Sequence, residues 1–215
     1  MHKVEKISKS ISDKLALELE LDDNRKSVIN YGVFAIVQTI ISVICILMFG
    51  IIFDVAYEAF IISLIMSILR KSSGGIHASS PGRCVTVATI FCVGMALILK
   101  KNVEIAVLLN KVIGIAIFIY AYTIIYKLAP VDSKAKPIKS VAKRRRLKRN
   151  SLLILSLFTV ISLAYTLLFK YTDNSNYIIY NFCIYIGIAW QVFSLTNLGH
   201  IVLGKIDDLL KNVIF

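Results

Sequence analysis

Long apolar stretches separated by short charged segments dominate the chain. Each approaches the ~20 residues that a helix needs to cross a bilayer. We therefore predict six transmembrane helices at 31–53, 55–69, 85–99, 103–126, 152–169 and 177–198. The second and third stretches are short, which favours a tilted or partly re-entrant arrangement for them.

The N-terminal residues 3–23 follow a different pattern. Apolar residues recur there every three or four positions among charged neighbours, namely Val4, Ile7, Ile11, Leu15 and Leu19. This spacing places them on one helical face and predicts an amphipathic helix in the membrane interface. A short soluble cap is the alternative. We accordingly divide the chain into an N-terminal helix with its linker, 1–30, and a transmembrane domain, 31–215.

Composition supports the membrane assignment. Of the 215 residues, 57% are hydrophobic, and the mean hydropathy is +0.75. A soluble domain is less apolar, so the expected fold class is an all-α integral membrane protein. The net charge of +12 is expected to face anionic lipid headgroups. Nucleic-acid binding is not expected, because the chain offers no soluble domain to present that charge.

The basic residues predict an orientation. With the N-terminus in the cytoplasm, 21 Lys and Arg side chains fall on the inner side and 3 on the outer side. Cytoplasmic segments of membrane proteins carry such an excess. We therefore expect both termini, the segment 70–84 and the basic loop 127–149 to be cytoplasmic. The first thirty residues hold six basic and six acidic side chains, which argues against a cleavable signal peptide.

One polar segment, SSGGIHASSPGRC at 72–84, carries candidate chemistry. Pro81 disfavours a continuous helix and Gly82 permits a sharp reversal, so a turn can bring His77 close to Cys84. A cysteine nucleophile and its histidine base need a separation of about 3 Å. A His and a Cys that share a loop without any catalytic role are the alternative.

Cys84 is expected to begin the next helix, where the positive end of the helix dipole stabilises a thiolate. Arg70 and Arg83 add positive charge, and backbone N–H groups around Cys84 are the expected donors to an oxyanion. The other cysteines, Cys45, Cys92 and Cys183, lie within apolar runs. The cysteines have no metal-binding spacing, so we expect neither a metal nor a cofactor.

Polar residues within the predicted spans have two interpretations. Lys111 and Asn110 lie inside the fourth span, where an ionisable residue is a functional candidate or a snorkelling side chain. Gln191 and Asn197 in the last span are typical of hydrogen bonds between helices.

Two motifs resemble a known family. Arg70, Gly75, His77, Ala78 and Cys84 form the pattern R-x4-G-x-H-A-x6-C, which resembles the signature of AgrB proteins. The stretch YKLAPVDSKAKPI at 126–138 is similar to the clostridial branch of that family. Chain length, the six spans and the amphipathic N-terminus also fit, so the resemblance covers nearly the whole chain.

The resemblance implies a membrane cysteine endopeptidase that processes quorum-sensing pheromones in the bacterial cell membrane. It would cleave the C-terminal part of an AgrD-like propeptide and cyclise the remainder, through an acyl-enzyme thioester, to a thiolactone or lactone. Cys84 matches the nucleophile and His77 the base. Further site residues are those expected to shape it, Arg70, Gly75, Pro81 and Gly82, and those expected to bind substrate, Lys134 and Lys136.

Several alternatives stay open beside this interpretation. Lys134 and Lys136 also suit a solvated role in setting topology. A homodimer is implied by the resemblance alone. A small membrane transporter or exporter, with the His–Cys segment as a gating loop, is the leading alternative function. A non-enzymatic scaffold that recruits a peptide through its basic loop is another.

Overall fold

The computed structural model describes residues 2–19, 22–76, 78–132, 138 and 140–214. It confirms the all-α prediction. The helices are α1 His2–Glu18, α2 Asp23–Ile52, α3 Ala56–Ser73, α4 Pro81–Lys101, α5 Val103–Leu128, α6 Val141–Thr172, α7 Asn176–Phe193 and α8 Asn197–Ile214.

Helices α2, α4, α5 and α6 are long and apolar enough to cross a membrane, and the bent pair α7–α8 adds a fifth crossing if it counts as one span. The protein is therefore a membrane protein. Helix α3 has only 18 residues, with Glu58 in its first turn and Arg70 and Lys71 in its last. Its apolar part is correspondingly short, and the count of six crossings stays a prediction.

The last predicted span, 177–198, differs from the structure at its C-terminal end. Helix α7 ends at Phe193, and α8 leaves it at an angle of 91°. The turn is tight at Gly199, where a Cβ atom would lie 1.9 Å from the carbonyl oxygen of Phe193. Only glycine fits such an approach. The sequence pattern did not predict α8 as a separate helix.

Helix α7 is the centre of the bundle. It packs against α3, α4, α5 and α6, and α3 is its closest neighbour. At Gly187 the two backbones approach so closely that a Cβ atom would lie 2.8 Å from the Cβ of Ile65. Small residues allow this close packing between helices in lipid, where van der Waals contact drives association.

A buried polar cluster joins α5, α6 and α7. The Asn181 amide donates to Asn110 (3.1 Å), Thr166 (3.0 Å) and the Tyr185 hydroxyl (2.9 Å). Such bonds hold helices together inside a membrane. Asn110 therefore has a structural role, and Lys111 beside it is exposed.

Helix α1 packs against α2. Among residues 6–19, Ser8, Ser12 and Ala16 are buried, whereas Ile7, Ile11, Leu15 and Leu19 of the predicted stripe are exposed; the Val4 side chain lies outside the described ones. The predicted apolar stripe therefore faces outward, as a helix in the membrane interface requires, and that location stays a prediction. Helix α2 begins at Asp23, so it extends across the proposed domain boundary at residue 30.

Candidate functional site

Cys84 lies in the first turn of α4. The Ser80 hydroxyl caps the helix by accepting from the Arg83 N–H (3.3 Å), and Pro81 is its first residue. Serine at the cap and proline in the first turn are favoured, because one satisfies a free N–H and the other has none. The predicted position of Cys84 at a helix start is therefore correct.

A cavity of about 60 Å³ opens beside Cys84, which is itself half-buried. It has room for a few water molecules or one small side chain. Residues of α3, α4, α7, α8 and the segment before α4 line it, namely Met66, Arg70, Ile76, Ala78, Cys84, Val87, Ala88, Trp190, Leu203 and Asp207. The thiol thus faces a small, mainly apolar space with one arginine and one carboxylate.

Two nitrogens of the Arg70 guanidinium differ in their hydrogen bonding within the described part of the chain. Its Nη2 donates to the carbonyl oxygen of Ile76. Its Nε is buried and has no hydrogen-bond partner in the described part of the chain. A buried donor without a partner is costly, so it calls for an acceptor. Because Arg70 lines the same cavity as Cys84, its guanidinium places a positive charge beside the thiol.

Two backbone N–H groups beside the Cys84 thiol already have hydrogen-bond partners. The N–H of Cys84 donates to the carbonyl oxygen of Ser80 (3.0 Å), and the N–H of Arg83 donates to the Ser80 hydroxyl. Both groups are used by the helix and its cap. These two N–H groups are therefore not free to bind an oxyanion, and the use of other N–H groups near Cys84 stays a prediction.

The segment that leads to the cavity is held from two sides. On one side, Gln191 Nε2 donates to the Ser73 hydroxyl (3.0 Å) and the Gly74 carbonyl (2.7 Å). On the other, the Val131 N–H donates to the Ser73 carbonyl (2.9 Å), which forms a parallel β-bridge between Gly74 and Val131. Gln191 is therefore a hydrogen-bonding residue between helices, as predicted.

Two glycines make this arrangement possible. Gly74 has φ +72°, and a Cβ atom there would lie 2.1 Å from the Val131 carbonyl oxygen. Gly75 has φ +125°, and its Cβ atom would lie 2.7 Å from the Ser194 hydroxyl oxygen. Side chains at these positions would be strained and would clash. This geometry supports the predicted shaping role of Gly75 and adds Gly74.

The start of the α5–α6 loop is part of the same structure. Arg144 donates to the Pro130 carbonyl (3.1 Å) and to the Asp132 carboxylate (2.8 Å), which fixes Val131 against Gly74. The sequence marked 126–138 as a family-like stretch, with Lys134 and Lys136 as expected substrate-binding residues. Its contact with Gly74 gives Val131 a structural role.

An acidic residue that sequence analysis missed also reaches the site. Asp207 of α8 forms an ion pair with Arg83 at 2.7 Å and accepts from the N–H of Ser79 at 3.1 Å. The only sequence signal was a carboxylate on an amphipathic C-terminal stretch, and such signals are common.

Other predicted residues lie elsewhere or outside the described residues. His77, Lys134 and Lys136 belong to the undescribed positions, so the His–Cys pair and the substrate-binding lysines stay predictions. Pro81 and Gly82 line a second cavity of about 130 Å³ on α4, together with Gln38, Ile41 and Val85. Among the remaining cysteines, Cys92 and Cys183 are completely buried in the core.

Comparisons with known proteins identify the family of the chain. The model of the family Accessory gene regulator B matches residues 8–195. AgrB-like proteins of Clostridium perfringens strains SM101 and 13 are each 39% identical over 217 residues, which cover 98% of this chain and all of theirs. An AgrB-like protein of Clostridium acetobutylicum is 23% identical over 202 residues, 94% of this chain and 90% of its own. No solved structure matches the chain. The chain belongs to the AgrB family, and membership implies a role in AgrD pheromone processing for quorum sensing.

Proposed function

We propose that this AgrB protein is a cysteine endopeptidase of the bacterial cell membrane. It cleaves the C-terminal part of an AgrD-like propeptide and cyclises the remainder to a thiolactone or lactone. The observation that carries the proposal is the half-buried thiol of Cys84, in the first turn of α4, beside a cavity that also exposes Arg70. A structural cysteine needs no such cavity, and Cys92 and Cys183 have the packed surroundings expected of one.

The chemistry follows from the residue types. His77 removes the proton from the Cys84 thiol, and the thiolate attacks the carbonyl carbon of the scissile peptide bond. The tetrahedral intermediate collapses to a thioester on Cys84. The leaving amine takes the proton from His77 and departs with the C-terminal fragment. A Cys or Ser side chain of the propeptide then attacks the thioester, which closes the ring and returns the Cys84 thiol.

Arg70 is the best donor for the oxyanion of the tetrahedral intermediate. It lines the Cys84 cavity, and the Ile76 carbonyl fixes the guanidinium in place. Preorganised donors in a site with little water give large transition-state stabilisation, often ~10²–10³ in rate. A side-chain donor is needed at this point because Ser80 already accepts from the N–H groups of Arg83 and Cys84.

The small cavity fits a peptide that lies across its mouth and inserts one side chain. Gly74 and Gly75 pack against Val131 and Ser194 and so set the course of the segment that leads to this mouth. Lys134 and Lys136 follow the docked Val131 along the chain, and in this proposal they attract the acidic part of the propeptide.

The test uses purified full-length chain in lipid vesicles with a synthetic AgrD-type propeptide. Cys84→Ala should abolish cleavage, because it removes the nucleophile. A matched variant with Cys45, Cys92 and Cys183 all changed to Ala should keep most of it. Mass spectrometry of the C-terminal fragment and the ring product provides the measurement.

Two results would overturn the proposal. One is cleavage by Cys84→Ala together with an inactive triple variant. The other is the absence of a propeptide thioester on Cys84 when the ring-forming Cys of the propeptide is replaced by Ala. Peptide transport by Cys84→Ala without cleavage would favour the exporter alternative.

A further inference from the structure

The Asp207 carboxylate binds Ser79 and Arg83, which lie on either side of the N-cap residue and first residues of α4. Its Oδ2 accepts from both the N–H (3.1 Å) and the hydroxyl of Ser79. Its Oδ1 accepts from Nε of Arg83 at 2.7 Å. The Arg83 Nη2 also donates to the Ser79 hydroxyl, which closes a ring of hydrogen bonds among the three side chains. One residue of α8 thus holds two positions more than 120 residues earlier in the chain.

These contacts surround the cap that sets Cys84 in place. Ser80 lies between Ser79 and Arg83, and its carbonyl accepts from the Cys84 N–H. Arg83 directly precedes Cys84. A shift of Ser79 or Arg83 would therefore move the cap and the thiol together. Asp207 and Leu203 also line the thiol's cavity, so this face of α8 forms one of its walls.

The Arg83–Asp207 pair is largely removed from solvent. The two side chains keep only 10% and 13% of their exposure. Ion pairs of this kind hold a geometry more firmly than exposed pairs, since water and salt compete less for them. The next residue, Asp208, is exposed on the same helix and offers a matched control.

We propose that Asp207 is a positioning residue for the proposed cysteine endopeptidase reaction. Through Ser79 and Arg83 it fixes the segment before α4 and the first turn of α4, and thereby the direction of the Cys84 thiol. It does not touch the reacting atoms. The inference rests on the proposed function, because position matters here only if Cys84 is the nucleophile. Displacement of a reacting group by about 1 Å can cost about 10²-fold in rate.

The experiment measures kcat and KM for a synthetic AgrD-type propeptide with full-length chain in vesicles. Variants are Asp207→Asn, Asp207→Glu and the control Asp208→Asn. Asp207→Asn should lower kcat by about 10- to 100-fold and change KM less than about twofold. Asp207→Glu keeps the charge and both oxygens, so it should restore a large part of kcat. Asp208→Asn should stay within about twofold of the unchanged chain.

A second measurement separates positioning from a merely structural role. With Cys45, Cys92 and Cys183 changed to Ala, iodoacetamide alkylates Cys84 alone, and the final extent of alkylation counts accessible sites. If Asp207 only held the fold together, Asp207→Asn would reduce the folded fraction on size exclusion and leave kcat per folded site unchanged. That result, or an unchanged kcat, overturns the positioning role.

The failure of this inference is distinct from that of the proposed function. Propeptide cleavage by the Cys84→Ala enzyme would show that Cys84 is not the nucleophile. The position of its thiol, which Asp207 is proposed to fix, would then not matter for cleavage. A normal Asp207→Asn enzyme with an inactive Cys84→Ala enzyme would leave the endopeptidase intact and reject only Asp207. If Asp207→Asn does not fold, the Asp207→Glu chain decides alone: kcat at or above a tenth of normal supports the role, and a folded chain below a hundredth overturns it.

Discussion

The two ends of helix α4 are joined to other parts of the molecule by ion pairs of equal length and very different exposure. At the N-terminal end, Arg83 and Asp207 are 2.7 Å apart, with side chains 10% and 13% exposed. At the C-terminal end, Lys100 and Asp54 are also 2.7 Å apart, but their side chains are 44% and 97% exposed. Distance alone would rank the two pairs as equal.

Their surroundings show why they are not. Lys100 Nζ donates to both the carboxylate and the carbonyl oxygen of Asp54 at the surface, where water replaces either partner at little cost. Arg83 and Asp207 share Ser79 and lie beside the Cys84 cavity. The difference teaches that an ion pair contributes to function through the elements it fixes, and only one of these pairs fixes a candidate nucleophile.

The largest expected effect concerns the sides of the membrane on which the two ends lie. In a chain with all four cysteines changed to Ala, Asn102→Cys places a thiol at the Lys100 end and Ser140→Cys places one at the start of α6. The charge distribution predicts that only Asn102→Cys reacts with an impermeant thiol reagent on intact cells. Permeabilised cells, in which both should react, are the control. Labelling of Ser140→Cys in intact cells would reverse the orientation.

Next in size is the effect of filling the close contact at Gly74. Gly74→Ala places a Cβ atom 2.1 Å from the Val131 carbonyl oxygen at φ +72°, so the segment before Cys84 must move. Cleavage of a synthetic AgrD-type propeptide should fall by about 10²-fold. Gly94→Ala in α4 is the matched control, because its Cβ atom would meet nothing within 4 Å. Equal activities of the two variants would show that the bridge to Val131 is irrelevant to the site.

The two ion pairs are compared directly by matched substitutions. Arg83→Gln leaves the Asp207 carboxylate with little solvent and without its cation. We expect a loss of about 2 kcal/mol in the free energy of unfolding, between the values typical of exposed and of fully buried pairs. Equilibrium unfolding of the detergent-solubilised chain measures it. If Arg83→Gln is as stable as the unchanged chain, the Arg83–Asp207 pair contributes no more to stability than an exposed pair does.

Local sequence chemistry predicted the elements and the position of the thiol. Apolar runs indicated the long helices because most of the runs approach a bilayer's thickness. Ser80 and Pro81 mark the start of α4 through capping, which acts over a few residues. The residue pattern alone therefore places Cys84 in a first turn. The exposed apolar stripe of α1 followed from periodicity in the same way.

The partners of the site could not be predicted, because they come from distant parts of the chain. Val131 reaches Gly74 from the α5–α6 loop, and Asp207 reaches Ser79 from α8. No local pattern encodes which distant carboxylate or backbone N–H meets a given segment. The bend after Phe193 was missed for a related reason: apolar residues continue through it, while the close approach at Gly199 is a tertiary contact.

The smallest expected effect is at the exposed end of α4. Lys100→Gln should leave propeptide cleavage unchanged and shift the unfolding midpoint far less than Arg83→Gln does.

The hydrogen bond from Lys100, together with its charge, lowers the pKa of Asp54 below its usual value. A carboxyl with a lowered folded pKa contributes stability above its unfolded pKa of about 4 and loses that contribution as the pH falls through the folded value. The small difference between the unchanged chain and Lys100→Gln should therefore be the same at about pH 7 and about pH 6, and it should disappear in stronger acid. Unfolding midpoints in detergent at several pH values measure it. A destabilisation by Lys100→Gln as large as that by Arg83→Gln would mean that exposure does not separate the two ends.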